Sequence, residues 1–206
     1  MCGRFYVEAD DTPEQLRQLL EEAERRAGEP LASGEVCPGS RTAVVAVSRR
    51  TLKPAAFAMR WGYPLDGKLL INARSETAER KPLFSRSMRE RRCLIPATAW
   101  FEWDHRRKPA AKYAIAPADT AWFYLAGIYR YGDRTEPEYT ILTREASDDL
   151  RGMHPRMPVA LPASLGAQWL SPSCDPARLL SGALTRVRMD PAGTAADGEQ
   201  ISIFEA

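Results

Sequence analysis

The amino-acid sequence predicts an α+β fold in which a mixed or antiparallel sheet is curled into a barrel-like core with flanking helices. Short apolar runs rich in β-branched and aromatic residues recur along most of the chain, as is typical of strands. Gly, Pro and polar residues separate these runs, and few intervening segments are long enough to hold a crossover helix. The 206 residues, 44% of them hydrophobic, are sufficient for a single domain over residues 1–206 with its own core.

A helix is predicted near the N-terminus. Thr12 is the expected N-cap, Pro13 the first helical residue, and Gln15 completes a capping box. Gly28 is expected to end the helix. Its apolar face is formed by Leu16, Leu19, Leu20 and Ala23.

Most of the remaining chain is predicted to form short strands. They are expected over 42–48, 55–61, 68–72, 93–103, 112–116, 121–129 and 138–143. Short helices are expected over 76–91, 163–170 and 176–181. Pro and Gly cluster at 28–39, 62–67 and 190–198, where we expect loops.

The charge of the chain is nearly balanced, with a formal net charge of +2, and does not by itself indicate a nucleic-acid partner. Of the 29 basic residues 24 are Arg, whose planar guanidinium binds phosphate through two hydrogen bonds. A GC-rich genome would produce the same bias. No apolar run is long enough to cross a bilayer, and the N-terminus lacks the pattern of a signal peptide. We therefore expect a cytoplasmic protein with no membrane association.

Metal binding is not expected. The cysteines are Cys2, Cys37, Cys93 and Cys174, and the histidines are His105 and His154. Neither a CxxC nor an HxxxH spacing occurs among them, so the sequence predicts no zinc site and no cofactor.

Cys2 directly follows the initiator Met, which is normally removed when the second residue is small. Removal would place an α-amine and a thiol on one residue. An α-amine has a pKa of about 7.7–8.0, so much of it is an uncharged nucleophile near neutral pH. Such a 1,2-aminothiol reacts with an aldehyde to give a Schiff base and then a thiazolidine. Gly3 permits close approach of a ligand, and Arg4 supplies a cation that is expected to lie beside the thiol and lower its pKa.

Three further clusters carry groups suited to chemistry. In INARSET, residues 72, 74 and 76 share one face of an extended segment, so Asn72 would lie beside Arg74; the alternative is polar capping of a strand end. In WFEW, three aromatic residues surround Glu102 and should raise its pKa; the alternative is an exposed Glu on a polar strand face. In MHPRMP, His154 precedes a proline and Arg156 follows on the same side; the alternative is a structural histidine.

The segments MCGRF, INARSET, RRCLIPATAWFEW and HPRMPVAL, in this order and spacing, resemble the SRAP (SOS-response-associated peptidase) family. Members of this family shield abasic sites in single-stranded DNA. The resemblance extends from Cys2 to about Leu161 and implies a single SRAP-like domain acting in the response to DNA damage. It implies an enzyme that forms a covalent thiazolidine crosslink with the abasic site.

The resemblance also implies roles for individual residues. It assigns the nucleophile to Cys2, contact with the opened sugar to Asn72, proton transfer to Glu102 and the catalytic histidine to His154. The DNA-facing positions correspond to Gly3, Arg4, Pro38, Arg74, Thr143 and Arg156. The implied partner is abasic single-stranded DNA, with single-strand/double-strand junctions as a further substrate, bound by a nucleoid-associated monomer.

The chain departs from the family pattern in places. Cys37 and Pro155 replace residues common in relatives, and the segment YPLDGKLL lacks a Trp that stacks on a base in some members. Three tryptophans, Trp61, Trp100 and Trp103, are left as candidates for that stacking. These departures bear on DNA affinity and junction preference more than on the chemistry.

Two other functions remain open. Cys2, His154 and Glu102 could form the triad of a cysteine peptidase, in its minimal form an autopeptidase that removes the residue before Cys2. Alternatively, the Arg and Trp residues could bind single-stranded DNA without catalysis. A block on the terminal amine separates the first alternative from the crosslinking enzyme, because only the latter needs a free amine.

Overall fold

The computed structural model describes residues 2–10, 12–132 and 136–194. The strands are β1 (Phe5–Val7), β2 (Gly34–Val36), β3 (Arg41–Val47), β4 (Pro54–Trp61), β5 (Tyr63–Leu65), β6 (Lys68–Leu70), β7 (Asn72–Arg74), β8 (Arg92–Ala97), β9 (Ala99–Asp104), β10 (Ala111–Pro117), β11 (Phe123–Tyr131), β12 (Pro137–Glu145), β13 (Arg156–Pro158), β14 (Ala160–Leu161) and β15 (Val187–Thr194). The helices are α1 (Glu14–Ala27), α2 (Ser75–Ala78), α3 (Pro82–Glu90), α4 (Asp148–Arg151), α5 (Gly166–Leu170) and α6 (Pro176–Leu180), with a 3-10 turn at Ala163–Leu165.

Five strands close into a ring in the order β12-β4-β3-β8-β11, because β11 pairs again with β12. The β4–β12 pair is parallel, with Trp61 opposite Tyr139, and the other four pairs are antiparallel. Short strands extend this sheet: β7 and β13 pair with β12, and β14 pairs with β11. The predicted α+β fold with a mixed, barrel-like sheet is confirmed.

A second, five-stranded sheet has the order β15-β10-β9-β1-β2. It packs on the ring through aromatic side chains: Phe5 lies 5.2 Å from Trp61, and Trp100 lies 5.9 Å from Phe123, measured between ring centroids. All four rings are fully buried. Because β1 is held between β2 and β9, the N-terminal residues enter the interior instead of extending from the surface.

Helix α1 packs on β3 and β4 with Leu16 and Ala23 buried, as the apolar pattern predicts. Gly28 ends it in the left-handed conformation (φ 73°), also as expected. The predicted cap is wrong. Pro13 is the N-cap and Glu14 the first helical residue, because the Thr12 hydroxyl donates to the Ala9 carbonyl instead of accepting from the helix.

Most predicted strands match observed strands closely, but two predicted strands, one helix and one loop differ. The strand expected over 68–72 is divided, because Lys68–Leu70 forms β6 in a two-stranded sheet with β5, whereas β7 begins at Asn72 and pairs with β12. The strand expected over 93–103 is two strands on different sheets, since the chain changes sheet at Thr98. The helix expected over 76–91 is interrupted between α2 and α3. The loop expected from residue 190 is wrong as far as Thr194, because β15 pairs with β10; residues 195–198 lie outside the described residues.

The loops expected at 28–39 and 62–67 also contain short strands, β2 and β5. The β5–β6 turn is formed by Asp66 and Gly67, both with positive φ (50° and 76°), the geometry that a two-residue hairpin turn requires. Within the described ranges, no helix has the length and apolar character needed to cross a bilayer.

Candidate active site

Cys2 and Asn72 meet in the interior, where the second sheet packs on the ring. The side-chain amide of Asn72 donates to the Cys2 carbonyl oxygen over 3.1 Å. Both residues are buried, with Cys2 fully enclosed. Asn72 begins β7, which pairs with Ile141–Thr143 of β12, so the ring fixes the position of the amide that holds the second residue of the chain.

The Cys2 thiol is protonated in this environment. Burial raises its pKa far above the ordinary value, and Glu102, when ionised, raises it further. The sulfur lies 3.7 Å from the Arg4 carbonyl oxygen, which accepts from the thiol. The expectation that a neighbouring cation lowers the pKa of this thiol is therefore wrong.

Arg4 is directed to a different partner. Its Nη1 donates to Glu35 Oε1 over 2.8 Å, and its guanidinium lies 5.8 Å from the Trp103 ring centroid. Glu35 also accepts from Lys112 Nζ over 2.5 Å. Partial burial opposes ionisation of Glu35, but the hydrogen bonds from Lys112 and Arg4 prevail and lower its pKa. Glu35 therefore fixes two cations beside Trp103, and sequence reasoning missed it because the contact joins distant segments.

Glu102, on β9, is almost completely buried. Burial raises the pKa of its carboxyl group, and the nearby charge of His154 partly opposes that shift. This confirms the expected direction for a carboxyl among aromatic residues and excludes the exposed alternative. The reciprocal effect on Cys2 shows that the carboxyl group and the thiol are electrostatic neighbours.

His154 lies in the loop between α4 and β13, which folds back on itself. Its Nδ1 is 3.0 Å from the Arg156 amide nitrogen and 2.9 Å from the Arg156 carbonyl oxygen. When Nδ1 accepts from that amide, a neutral ring carries its proton on Nε2. The histidine is thus oriented by the backbone of Arg156.

Arg156 makes a two-pronged ion pair with Glu76. Its Nη1 donates to Oε1 over 2.8 Å, and its Nη2 donates to Oε2 over 2.9 Å. The same Nη2 donates to the Thr143 hydroxyl over 3.2 Å. Partial burial raises the pKa of Glu76, but the hydrogen bonds from Arg156 outweigh it and lower the pKa overall. An anion approaching the outer edge of this guanidinium would meet Glu76.

The INARSET segment is extended only as far as Arg74, and helix α2 begins at Ser75. The expectation that residues 72, 74 and 76 continue one extended face is therefore wrong at Glu76. Asn72 is buried while Arg74 is exposed, opposite Thr143 in the register of β7 and β12. The two side chains thus share a strand but differ in access to solvent.

Gly3 and Pro38 occupy backbone positions near this region. Gly3 is buried between Cys2 and Arg4. Pro38 is half-buried in a turn that is tied to β4, since the Gly39 amide donates to the Trp61 carbonyl over 2.8 Å. The indole of Trp61 in turn donates to the carbonyl of Ile71, the residue before Asn72.

The candidate stacking tryptophans divide into two groups. Trp61 and Trp100 are fully buried in the core, so neither is accessible to a base, and that expectation is wrong for both. Trp103 is partly exposed, with Arg4 and Lys112 each 5.8 Å from its centroid. Among the residues described, no group of three His, Cys, Asp or Glu side chains is arranged to hold a metal ion.

Comparison with known proteins identifies close relatives. Residues 1–194 match the SRAP family, described as SOS response associated peptidase. The chain is 33% identical over 199 residues to the abasic site processing protein YoqW of Bacillus subtilis, covering 88% of this chain and 85% of that protein. It is 31% identical over 180 residues to the abasic site processing protein YedK of Escherichia coli, covering 82% and 79%. A crystal structure of a phage-related protein from Bordetella bronchiseptica superimposes with a TM-score of 0.69 at 27% identity, covering 93% of this chain and 94% of that one.

Proposed function

Because this chain belongs to the SRAP family, we propose that it processes abasic sites in single-stranded DNA by forming a covalent thiazolidine crosslink through Cys2, after removal of Met1. Relatives named abasic site processing proteins support the general assignment. The observation that carries the chemistry is the enclosure of Cys2 with Asn72 and Glu102, since an aldehyde bound there would meet an amine, a thiol, an amide and an acid.

The reaction begins with the closed sugar of the abasic site, which opens to its aldehyde as the bond from C1′ to the ring oxygen breaks and the C1′ hydroxyl loses its proton. Glu102, whose raised pKa favours the protonated acid, donates a proton to the sugar ring oxygen as the ring opens. The side-chain amide of Asn72 lies beside the nucleophile and hydrogen-bonds the opened sugar. His154, with Nδ1 held by the Arg156 backbone, supplies a second group that can exchange a proton through Nε2.

The crosslink forms in two steps. The Cys2 α-amine adds to C1′, and loss of one water gives a Schiff base. The thiol sulfur then adds to the same carbon, its proton passes to the nitrogen, and the five-membered ring closes. A thiol with a raised pKa is a poor nucleophile until the positive Schiff base forms beside it, because that charge favours the thiolate. Because the protonated thiol is less nucleophilic than the amine, the amine reacts first and the thiol second.

Arginine side chains around the site support binding of the flanking strand. Arg74 is exposed at the end of β7, and Arg156 and Thr143 lie on the adjacent strands β13 and β12. Gly3, Arg4 and Pro38 complete the proposed contact surface. We propose a monomer in the cytoplasm, associated with the nucleoid, acting on single strands and single-strand/double-strand junctions as one domain. No cofactor enters the scheme.

The crosslink is tested with purified protein and an oligonucleotide that carries one abasic site. Cys2→Ala is expected to abolish the heat-stable adduct, whereas Cys174→Ala, which removes a partly exposed thiol elsewhere in the chain, should leave it intact. Cys2→Ser should give only a reducible Schiff base. Placing an extra residue before Cys2 should abolish the adduct too. An undiminished adduct with Cys2→Ala would refute the proposal.

The peptidase alternative has less support. A thiolate–imidazole pair requires a lowered thiol pKa, whereas that of Cys2 is raised, and the thiol donates to the Arg4 carbonyl. A triad thiol would retain activity when the α-amine is acetylated, so acetylation separates the two mechanisms. A non-catalytic binder would bind abasic and intact strands equally and would form no adduct with either.

A further inference from the structure

The end of the barrel remote from Arg74 and Thr143 carries a groove of about 530 Å³. It is lined by residues of β3, β4, β11, the β3–β4 turn and the C-terminal turn of α1, including Arg26, Arg49, Phe57 and Tyr131. Strand β12 locates it relative to the site: Pro137 lies opposite Tyr131, whereas Thr143 lies opposite Arg74. Six residues of strand separate the two positions by about 20 Å.

Tyr131 is the aromatic side chain most open to solvent in this groove, with 46% of its surface exposed. Two guanidinium groups flank its ring, Arg49 at 5.9 Å and Arg91 at 5.5 Å from the centroid. Its edge packs on Tyr129, 6.0 Å away at an angle of 77°. This packing holds the ring in place while nearly half of the residue's surface stays exposed.

Among the described residues of the groove, positive charges outnumber negative ones. Arg41 and Arg60 share the carboxylate of Glu136, and Arg41 also pairs with Glu29, so these four charges balance. Within the described ranges, neither Arg49 nor Arg91 forms a salt bridge. Across the groove, Arg26 lies 5.3 Å from the Phe57 ring centroid and is balanced by an ion pair with Glu22, so the unbalanced charge is that of Arg49 and Arg91. Unbalanced arginines beside a half-exposed aromatic ring match the chemistry of a strand with phosphates and unstacked bases.

We propose that this groove is a second binding site for single-stranded nucleic acid, in which a base stacks on Tyr131 and Arg49 and Arg91 contact the adjoining phosphates. The proposal extends the proposed function, since a strand bound at both ends of the barrel would contact the protein at the lesion and also at a second point along the strand. It does not depend on the covalent chemistry. A longer strand can contact both sites at once more readily than a short one, so the effect of the groove should increase with strand length.

The test compares undamaged oligothymidylates of about 8 and about 40 nucleotides, since one binding unit of this kind covers about 4–16 nucleotides. The double variant Arg49→Glu/Arg91→Glu is expected to bind the longer strand roughly ten-fold more weakly than the wild type. The log–log salt slope should fall in magnitude by about 1.4, or 0.7 for each lost phosphate contact. The matched control Arg17→Glu/Arg188→Glu changes two exposed, locally paired arginines by the same charge and should bind as the wild type.

Stacking is tested separately. Tyr131→Ala should weaken binding of the longer strand roughly ten-fold, and Tyr131→Phe should not, because the stacking face is retained. Thermal melting of each variant checks that it is folded. Equal losses of affinity in the double variant and its control would overturn the proposal. An unchanged affinity in Tyr131→Ala would also overturn it, and would mean that the groove binds any polyanion, such as heparin. Crosslinking of a short abasic strand by the double variant reports on the proposed function independently.

Discussion

The carboxyl group of Glu102 has a higher pKa in the folded protein than in the unfolded chain, because it is buried. The folded state therefore binds the proton more tightly, and stability falls as the pH rises from the unfolded pKa, about 4.3, through the folded pKa. Above the folded pKa, the loss of folding stability stays at its full value. Glu102→Gln removes the ionisation and keeps the shape.

Glu102→Gln is expected to raise the melting temperature at pH 8 but not at pH 4, where both states are protonated. Crosslinking should slow by about 100-fold, the lower range for loss of a general acid. Melting curves at the two pH values and single-turnover adduct formation measure the two effects. Glu21→Gln, at an exposed position of α1, is the control. A melting temperature that drops at pH 8 would show that ionised Glu102 stabilises the fold.

The Glu76–Arg156 pair gives a second prediction at this scale. If Arg156 contacts a phosphate, that phosphate must displace the Glu76 carboxylate from Nη1 and Nη2. Glu76→Gln should therefore raise the affinity for a short undamaged strand by roughly two- to five-fold, the range of a partly exposed ion pair. Glu79→Gln removes a neighbouring exposed charge and should have less effect. A loss of affinity in Glu76→Gln, measured by fluorescence anisotropy, would show that Glu76 positions Arg156 for binding instead.

The residue types of the candidate site could be predicted from the sequence, but their partners could not. Cys2, Asn72 and Glu102 stand in recognisable segments, and the structure brings them together. The Glu76–Arg156 contact joins residues 80 positions apart, and no local pattern encodes it. The pKa of the Cys2 thiol was predicted in the wrong direction because burial, which depends on the whole fold, outweighs the charge of a sequence neighbour.

At the level of elements, the C-terminus of α1 allows a clean test of backbone conformation. Gly28 has φ 73°, and a Cβ built there meets no atom within 4 Å, so only the backbone opposes a side chain. Gly28→Ala should destabilise the protein by about 1 kcal/mol. This corresponds to a fall in melting temperature of about 2–4 °C for a chain of this size.

Gly152→Ala provides the matched control for that variant. Gly152 ends α4 with φ −67°, a conformation that alanine adopts readily, and its Cβ would lie 3.8 Å from Arg106 Nη1, an ordinary contact. This substitution should leave the melting temperature unchanged or raise it slightly. Equal destabilisation by the two alanine substitutions would mean that the left-handed backbone conformation does not explain the effect at Gly28.

Long strands with continuous apolar patterns, such as β3, β4, β11 and β12, were predictable to within two residues at either end. The short strands were not, since β1, β2 and β13 have three residues each and depend on their partners. β1 pairs with β9, β13 pairs with β12, and β2 pairs with β1. β15 contains Pro191 and Gly193, which indicate a loop by composition. It forms at the edge of its sheet, where a proline without an amide proton is tolerated.

At the scale of the whole molecule, the closed ring and the second sheet together place the second residue of the chain inside the protein. Cys2 has no exposed surface, and its contacts with Asn72, Arg4 and Glu102 come from its own chain. A partner subunit is not needed to complete this group of residues. The proposed crosslink should therefore join one strand to one chain.

Intact mass spectrometry under denaturing conditions tests this stoichiometry and the bond chemistry together. The expected adduct has the mass of one chain lacking Met1 plus one abasic oligonucleotide, less one water, because Schiff-base formation releases water and ring closure by the thiol releases nothing. Attack by the thiol alone would retain that water. Heating, or reduction with borohydride, then separates the thiazolidine from an open Schiff base of equal mass, since only the Schiff base is hydrolysed or reduced. An adduct whose mass includes Met1 and shows no loss of water would exclude attack by the Cys2 amine.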